Sequence, residues 1–546
     1  MEERKYFENN VVYQIYPRSF CDSNGDGIGD IPGIISKLPY LESLGIGILW
    51  LSPVYKTANR DFGYDVSDYL SINPEYGTME DMDRLIQEAK NRHIRIVMDL
   101  VVNHTSSEHP WFKASFDKNS PYHAYYYWRK GKKNNTLPPN NWTSNFGGSA
   151  WTFVPEVGEW YLHLFDEKQP DLDWHNPKVL SEVENILRFW LNKGVYGFRC
   201  DVINQIWKDT LKDGKWRPWT IGNEHYITKD GCHKILRDFY EDVYKNYDTM
   251  TVGECFGVDY ANARRFSDHE LDMFFQFDTV NVDKGILPVF KKKYRSKKFK
   301  KTILSWQNAV RWNANYLENH DQKRSIERFG NAKRYWKESA KMLATLILTL
   351  RGTPFIYQGE EIGMLDYPTF KPEEFQDPVN FWMLRTMRNL HFSEKKSLKL
   401  IQNTNRDNAR TPMQWDASKN AGFSKGDNTW LPVNPNYLSI NVQKEDAEGD
   451  SILNFYRSII ELRKKEEPLS FGDFEPLKTN GKILAFFRSY KGEMLFILLN
   501  LSKKTVHLPK SIRVLNGEVL LSNYEGAGLT FKKKLRPYEA IVAKLS

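Results

Sequence analysis

Three acidic residues capable of acid–base or nucleophilic chemistry lie at the ends of short strand-like runs. Asp201 ends the run Gly197-Phe-Arg-Cys-Asp, Glu254 ends Thr251-Val-Gly-Glu, and Asp321 ends Glu318-Asn-His-Asp. A half-buried carboxylate is costly unless it is paired or works in a reaction. Glycoside hydrolysis needs such a set, because one carboxylic acid protonates the leaving oxygen while a second carboxylate attacks or stabilises the anomeric carbon.

Arg199 stands two residues before Asp201. Because strand side chains alternate between faces, the two residues share one face. A neighbouring guanidinium favours the ionised carboxylate that a nucleophile requires. A retaining double displacement further requires the carboxyls of Asp201 and Glu254 to face each other across the pocket, about 5–5.5 Å apart.

These residues need a scaffold that brings distant strand ends together. Helical patterns at 79–91, 177–193 and 336–350 alternate with strand-like runs, which predicts an α/β fold, a (β/α)8 TIM barrel whose strand ends meet at one mouth. The eight predicted strands are residues 11–16, 48–51, 94–101, 196–202, 249–255, 273–278, 312–319 and 354–358.

Two further units interrupt or follow the barrel pattern. Residues 105–170, after strand 3, are rich in Asn, Gly, Pro, Trp and Tyr and predict an inserted loop domain. Residues 468–546 alternate short strands with turns and predict a C-terminal antiparallel β-sandwich domain. The catalytic barrel is then formed by residues 1–104 and 171–467.

Composition narrows the classes of protein and partner. The chain has 546 residues, 40% hydrophobic, and its net charge of +8 comes from segment 291–301, which holds eight basic residues and no acidic one. One such run without a nucleic-acid-reading element predicts no nucleic-acid partner. No apolar stretch suggests a signal peptide or a membrane span. Four cysteines match no zinc or disulfide pattern, so we expect free thiols and a cytoplasmic protein, most simply a monomer.

With these residues in view, the sequence resembles the α-amylase superfamily, glycoside hydrolase family 13, and within it the oligo-1,6-glucosidase and α-glucosidase branch. The resemblance covers nearly the whole chain. It rests on the motifs Asp99-Leu-Val-Val-Asn-His104, Gln169-Pro-Asp-Leu-Asp173, Gly197–Asn204, Gly253-Glu254, Glu318-Asn-His-Asp321 and Arg406-Asp-Asn-Ala-Arg-Thr-Pro-Met-Gln-Trp415.

The resemblance implies a retaining, exo-acting α-glucosidase that acts on short oligosaccharides. It implies that Asp201 is the nucleophile, Glu254 the general acid and then base, and Asp321 a stabiliser of the transition state. Asp61 would pair with Arg406 or Arg410 and, with Tyr64, close the far end of the pocket. The implied glucose pocket also includes His104, Arg199 and His320.

Val202 follows the proposed nucleophile, and the resemblance links valine here with α-1,6 linkages. We therefore expect isomaltose-like substrates. Related activities stay open, because trehalose-6-phosphate hydrolases and sucrose isomerases share these motifs. A phosphate would need a cation such as Lys208, Lys212 or Lys323. Non-catalytic relatives lose the carboxylates, which this chain keeps. The chain departs from the family pattern at 208–229, Lys323 and Asp173, which affects the expected aglycone.

The loop Asp22-Ser-Asn-Gly-Asp-Gly-Ile-Gly-Asp30 predicts a structural Ca²⁺ site. Oxygen-bearing residues alternate, and Gly27 permits a sharp turn, as in the first nine residues of a calcium loop. The twelfth position is Gly33 rather than glutamate, so this is not a full EF-hand, and Mg²⁺ is an alternative. The expected ligands are Asp22, Asn24, Asp26, the Ile28 carbonyl and Asp30.

Overall fold

The computed structural model describes residues 4–267, 269–285, 290–528 and 533–545. Its central element is a sheet of eight short parallel strands: Val12–Ile15 (β1), Ile48–Leu51 (β2), Arg95–Leu100 (β3), Gly197–Cys200 (β4), Met250–Glu254 (β5), Met273–Phe275 (β6), Ala314–Asn315 (β7) and Thr353–Tyr357 (β8). The sheet order is β6-β5-β4-β3-β2-β1-β8-β7. Phe275 of β6 packs on Tyr316 beside β7 with ring centroids 4.9 Å apart, so the sheet forms a nearly closed barrel.

Each predicted barrel strand is confirmed. Strand 7 is much shorter than predicted, two residues instead of 312–319, and strand 6 ends at Phe275 instead of residue 278, while the other bounds lie within two residues of the predicted ones. The strands are buried along almost their whole length, as expected for parallel strands covered by helices. Helices predicted at 79–91, 177–193 and 336–350 are also confirmed. The main helices are Leu38–Leu44 (α1), Met79–Asn91 (α2), Pro177–Asn192 (α3), Asp230–Asp242 (α4), Ser296–Ala309 (α5), Trp336–Thr349 (α6) and Ile452–Lys465 (α7).

The segment between β3 and α3 builds a separate small sheet beside the barrel mouth. Its strands are Trp128–Arg129, Trp151–Val154 and Glu159–Leu162, and all neighbours are antiparallel. Tyr127, Trp142, Trp151 and Leu162 form a buried cluster of their own. An insertion after strand 3 is therefore present, while its boundaries at 105 and 170 stay a prediction.

A helical extension after β8 was not foreseen from the sequence. It contains the helices Pro378–Asn389, Glu394–Ile401 and Asp407–Arg410, followed farther along the chain by α7. Phe370, Phe375, Met383 and Ile401 form its buried core. This extension carries Asp377, Arg406 and Arg410 to the barrel mouth.

The C-terminal part is antiparallel, as predicted. Five strands pair in the order Asp473–Pro476, Ile483–Tyr490, Glu493–Asn500, Ala540–Leu545 and Gly517–Ser522. A second, two-stranded layer pairs Val506–His507 with Lys534–Leu535. Apolar residues of both layers share one buried cluster, which makes the unit a small sandwich.

The four cysteines are free and buried, as expected. The basic run lies partly in α5, and Lys300 is not solvated there: its ammonium donates to the carbonyls of Thr479 and Asn480. Among the helices that the structure describes, none combines the length and the hydropathy that a bilayer crossing demands.

Candidate active site

Arg199 lies at the centre of the barrel mouth and contacts three carboxylates. Its Nη1 donates to Asp99 Oδ1 and to Asp201 Oδ1, each at 2.6 Å, and its Nη2 donates to Glu254 Oε2 at 2.6 Å. The register of the parallel strands places Asp99 beside Arg199. The predicted pairing of Arg199 with Asp201 is therefore present, and it extends to two neighbouring strands.

Each of the two candidate catalytic carboxylates keeps one oxygen available. Asp201 uses Oδ1 and Glu254 uses Oε2 to accept from Arg199. Among the described residues, neither Asp201 Oδ2 nor Glu254 Oε1 has a hydrogen-bond partner, and neither atom is sealed from solvent. The structure thus presents two accessible carboxylate oxygens whose positions are fixed through one guanidinium.

Burial is the largest influence on the pKa values of Asp201 and Asp99. It raises the pKa of Asp201 well above its ordinary value; Arg199 lowers that pKa, while Glu254 and Asp99 raise it further. Burial also raises the pKa of Asp99 to about 6, against the charge of Arg199. One cation therefore faces three carboxyl groups. Arg199 therefore acts on Asp201 in the direction expected from the sequence, while burial acts against it.

Val202 has a left-handed backbone, with φ 37° and ψ 35°. The conformation is strained for a β-branched residue and costs on the order of 1–3 kcal/mol. It ends β4 at Cys200 and directs the amide of Val202 toward Glu254 Oε2, at 3.3 Å. Strand 4 is therefore shorter than predicted, and Val202 belongs to a turn at the pocket rather than to the strand.

Asp321 lies opposite, held by two arginines from the extension after β8. Its Oδ1 accepts from Arg406 Nη1 at 3.1 Å and from Arg410 Nη2 at 2.7 Å. Burial acts to raise the pKa of Asp321, but His320, Arg406 and Arg410 together hold it below its ordinary value. Asp321 is therefore an anion, and its side chain is one-quarter exposed, which leaves it open to a ligand.

The far end of the pocket is closed by Asp61 and its neighbours. Arg406 Nη2 lies 3.6 Å from Asp61 Oδ1, so Arg406 is the partner of Asp61, while Arg410 pairs with Asp321. Asp61 Oδ1 is buried and has no hydrogen-bond partner among the described residues. Burial raises the pKa of Asp61 to about 7, although both arginines lower it. An unpartnered oxygen at this depth fits a ligand hydroxyl.

A tight turn places Asp61 and Tyr64 together. Phe62 and Gly63 both have positive φ, 47° and 107°. A Cβ on Gly63 would lie 2.8 Å from the carbonyl oxygen of Pro53, so glycine is required there. Asp65 accepts from the amide of Asp61 at 3.0 Å and thereby fixes the turn.

Two neutral histidines complete the wall. Burial lowers the pKa of His104 to about 4 and that of His320 to about 3. His320 accepts from Gln14 at Nδ1, at 2.8 Å, so its Nε2–H faces the hydroxyl of Tyr64, also at 2.8 Å. His104 Nε2 donates to the carbonyl of Tyr64 at 3.0 Å. Both imidazoles contribute to the wall without adding charge, and their N–H groups are engaged by Tyr64.

The catalytic-domain model of α-amylases matches residues 14–472. The chain belongs to the α-amylase family. An oligo-1,6-glucosidase of Parageobacillus thermoglucosidasius is 45% identical over 563 residues, which cover 100% of this chain and 99% of the relative. Two solved structures have TM-scores of 0.94 at 39% identity and full coverage of both chains: trehalose-6-phosphate hydrolase from Bacillus licheniformis and isomaltulose synthase from Klebsiella sp. LX3.

Two acidic residues of this α-amylase family site, Asp99 and Asp377, were not identified from the sequence. Asp99 lies inside one of the sequence motifs, one residue before the end of strand 3, so its position near a strand end was a usable signal. Asp377 binds Arg406 Nε at 2.8 Å and Nη2 at 2.7 Å. Along the chain it lies well after the last barrel strand, and the neighbouring sequence contains no motif that indicates its role.

Two of the three lysines considered for a phosphate are occupied. Lys208 is fully buried and pairs with Asp171 at 2.7 Å. Lys323 pairs with Asp366 at 2.8 Å. Both ammonium groups are therefore already paired with a carboxylate of the protein.

The loop 22–30 curls around Asp22. Asp22 accepts from the amides of Asn24 at 3.0 Å, Gly25 at 2.7 Å and Gly27 at 2.8 Å. Asp30 instead caps the helix Ile31–Ser36. Among the described residues, no three acidic, histidine or cysteine side chains are grouped closely enough to hold a metal ion. The oxygens of the loop include those of carboxylates, of the Asn24 amide and of the backbone carbonyls.

Proposed function

We propose that this chain is a retaining, exo-acting α-glucosidase that releases the non-reducing terminal glucose of short α-glucosides, with α-1,6 linkages favoured. The observation that carries the proposal is the pair of accessible oxygens, Asp201 Oδ2 and Glu254 Oε1, on carboxylates that share Arg199. A pocket closed behind them by Asp61 and Arg406 accepts one terminal sugar.

In the proposed reaction, Asp201 Oδ2 attacks the anomeric carbon while Glu254 gives its proton to the glycosidic oxygen. The proposed reaction takes Glu254 as the protonated and Asp201 as the ionised carboxyl group. The bond to the aglycone breaks and a β-glucosyl ester of Asp201 forms. Glu254 then takes a proton from water, which displaces Asp201 and releases α-glucose.

The remaining residues bind and orient the sugar. Asp321 is an anion beside two arginines and stabilises positive charge at the ring in the transition state. His104 and His320 are neutral, and their N–H groups hold Tyr64 in the pocket wall without adding charge. The unpartnered Asp61 Oδ1 accepts from a hydroxyl at the non-reducing end. These groups close the end of the pocket that binds the non-reducing sugar, so a second sugar does not fit beyond it.

The α-1,6 preference rests on Val202 and on the oligo-1,6-glucosidase relatives. Val202 is 8% exposed at the pocket, so its two methyl groups shape the space next to the nucleophile. Trehalose-6-phosphate hydrolysis is disfavoured by Lys208 and Lys323, whose ammonium groups are already paired. Sucrose isomerisation differs from hydrolysis only in the group that attacks the glucosyl ester, a sugar hydroxyl instead of water.

A substrate panel with product stereochemistry tests the proposal. The purified chain is given isomaltose, maltose, sucrose, nigerose and trehalose-6-phosphate, and the released anomer is followed by NMR or polarimetry. We expect isomaltose to have the highest kcat/KM and α-glucose to appear first. Initial release of β-glucose, or faster turnover of trehalose-6-phosphate, contradicts the proposal.

A structural Ca²⁺ is part of the proposal. Among the described residues no lysine or arginine forms an ion pair with Asp22, Asp26 or Asp30, and the charge of Asp22 adds to the burial that raises the pKa of Asp30. Uncompensated acids in a loop with Gly25 and Gly27 at positive φ fit a hard cation. Asp22, Asn24, Asp26, Asp30 and the Ile28 carbonyl would hold it, and it would brace the loop after β1.

The cytoplasmic location and the monomeric state also stay proposals. Four buried thiols without a disulfide support a reducing compartment. Light scattering of the purified chain tests the monomeric state, for which a mass of 64.2 kDa is expected.

A further inference from the structure

A second large groove lies outside the catalytic pocket. It has a volume of about 840 Å³, within the range of small-molecule sites. One wall is the outer side of the hairpin formed by Tyr55–Thr57 and Val66–Ile72. The other walls are residues 108–113 and helix α3.

An aromatic platform forms one side of this groove. The ring of Trp111 lies 4.4 Å from His109, 5.4 Å from Tyr125 and 6.3 Å from Tyr69. These three neighbours fix the orientation of the indole, which is still partly exposed. The N–H of the Trp111 indole has no hydrogen-bond partner among the described residues and is not sealed from solvent. A rigid, accessible ring with a free donor suits a ligand with one apolar and one polar surface.

Hydrogen-bonding groups on α3 face the same space. The carboxylate of Glu182 has Tyr125 Oη as its hydrogen-bond partner, at 3.4 Å, so most of its accepting capacity is unused. Asn185 is exposed one turn farther along the same helix, and residues three apart lie on one helix face. A carboxylate and an amide beside an aromatic ring can bind vicinal hydroxyls.

The charges of the groove argue against an ionic ligand. Lys113 and Glu108 neutralise each other at 2.7 Å. The other charged residues of the lining are Lys56, Asp68 and Glu182. The balance is close to neutral, without a cationic cluster that a phosphate would need. A neutral polyhydroxyl ligand fits best.

We propose that this groove binds an oligosaccharide of two or three glucose units at a site separate from the catalytic pocket. The hairpin lies between the two sites. Thr57, which lines the groove, donates to Asp65 Oδ1 at 2.8 Å, and the same oxygen accepts from the amide of Asp61 at 3.0 Å. The groove is thus two hydrogen bonds away from the closed end of the catalytic pocket.

The test uses full-length Asp201→Asn protein, which cannot turn over the sugar. The catalytic pocket is first filled with 1-deoxynojirimycin, whose own binding is recorded, and isomaltotriose is then titrated by calorimetry and saturation-transfer NMR. We expect one further site. Trp111→Ala weakens it at least about tenfold. Ala58→Trp, which fills the groove from an exposed position and removes no packing, abolishes it.

Trp216→Ala is the matched control, because Trp216 is 80% exposed and lies outside the groove. It leaves the additional binding unchanged. The proposal is overturned when the parent protein shows no additional site, or when Ala58→Trp binds isomaltotriose as tightly as the parent. Failure of 1-deoxynojirimycin to bind would count against the proposed catalytic function instead, and the comparison of Ala58→Trp with its parent still decides the groove.

Discussion

Asp201 and Glu254 each accept a hydrogen bond of 2.6 Å from a different nitrogen of one guanidinium, that of Arg199. This shared contact fixes one oxygen of each carboxylate and leaves the other accessible. Because Asp99 also binds Arg199 at 2.6 Å, the cation is insufficient to neutralise all three acids. Arg199 thus holds side by side the two carboxyl groups that a double displacement requires.

Glu254→Gln removes the proton donor and the later base. We expect hydrolysis of isomaltose to fall by about 10³-fold or more. With 2,4-dinitrophenyl α-glucoside, whose leaving group needs no proton, a burst of dinitrophenol survives, because Asp201 is intact. Stopped-flow absorbance checks this. Glu241→Gln, on the exposed side of α4, serves as the control, and equal losses on both substrates would contradict the assigned role.

Val202→Thr keeps a β-branched residue in the strained turn and replaces one methyl by a hydroxyl. We expect the ratio of maltose to isomaltose kcat/KM to rise about tenfold, a typical effect of one changed pocket contact. Parallel kinetics with 4-nitrophenyl α-glucoside report on the chemical step and should change little. An unchanged ratio argues against control of linkage by Val202.

Asp377→Asn tests a residue that acts through Arg406. Asp377 is buried and donates no bond itself; it accepts two from Arg406. With the pair broken, Arg406 is held less firmly against Asp61 and Asp321, so KM for isomaltose should rise about tenfold while kcat falls less. Loss of the buried ion pair should lower the free energy of unfolding by about 3 kcal/mol. A purely structural residue would change stability without the rise in KM.

His104→Gln should change how stability depends on pH. The buried imidazole has a pKa of about 4 in the folded chain and about 6.5 when unfolded. Between these values the unfolded chain binds more protons, so acidification lowers the stability of the wild type. Asp61, with its pKa raised to about 7, takes up a proton on folding and opposes this trend in both proteins.

The variant should therefore lose less stability than the wild type from pH 6.5 to pH 4, by up to about 3 kcal/mol. Urea unfolding at a series of pH values, followed by tryptophan fluorescence, measures the difference. Identical pH profiles for the two proteins would show that His104 titrates normally in the folded chain.

Removal of Ca²⁺ should lower Tm without altering the catalytic groups. At 100 times the dissociation constant a bound ion stabilises the fold by about 2.7 kcal/mol. Differential scanning calorimetry before and after EGTA, then with Ca²⁺ or Mg²⁺ restored, measures the loss and identifies the ion. Asp26→Ala, in the loop after β1, should abolish the response. A Tm that is indifferent to chelation and to this variant rejects the metal site.

Several site contacts were predictable because they depend on local periodicity. Arg199 and Asp201 are two residues apart at the end of a strand, so alternation alone puts them on one face. Parallel strands of a barrel end at one mouth, which brings Glu254 and Asp321 to the same region. The same reasoning could have placed Asp99 at the barrel mouth.

Other contacts could not be read from spacing. The backbone at Val202 adopts a left-handed conformation, and the residue types around it do not predict one. Lys208 was a candidate for binding phosphate, yet the fold directs it to Asp171. Burial likewise outweighs the lowering of the Asp201 pKa by Arg199, because the desolvation of a carboxylate depends on everything packed around it.

The sequence by itself determined the barrel, its insertion after strand 3, its antiparallel C-terminal unit and the carboxylates at the strand ends, since strand and helix periods are local properties of the chain. Only the tertiary structure decided that Asp377 anchors Arg406, that Arg406 rather than Arg410 meets Asp61, and that a groove forms behind the hairpin. These features depend on the paths of long loops and on three-dimensional burial, and neither has a repeating pattern in the sequence.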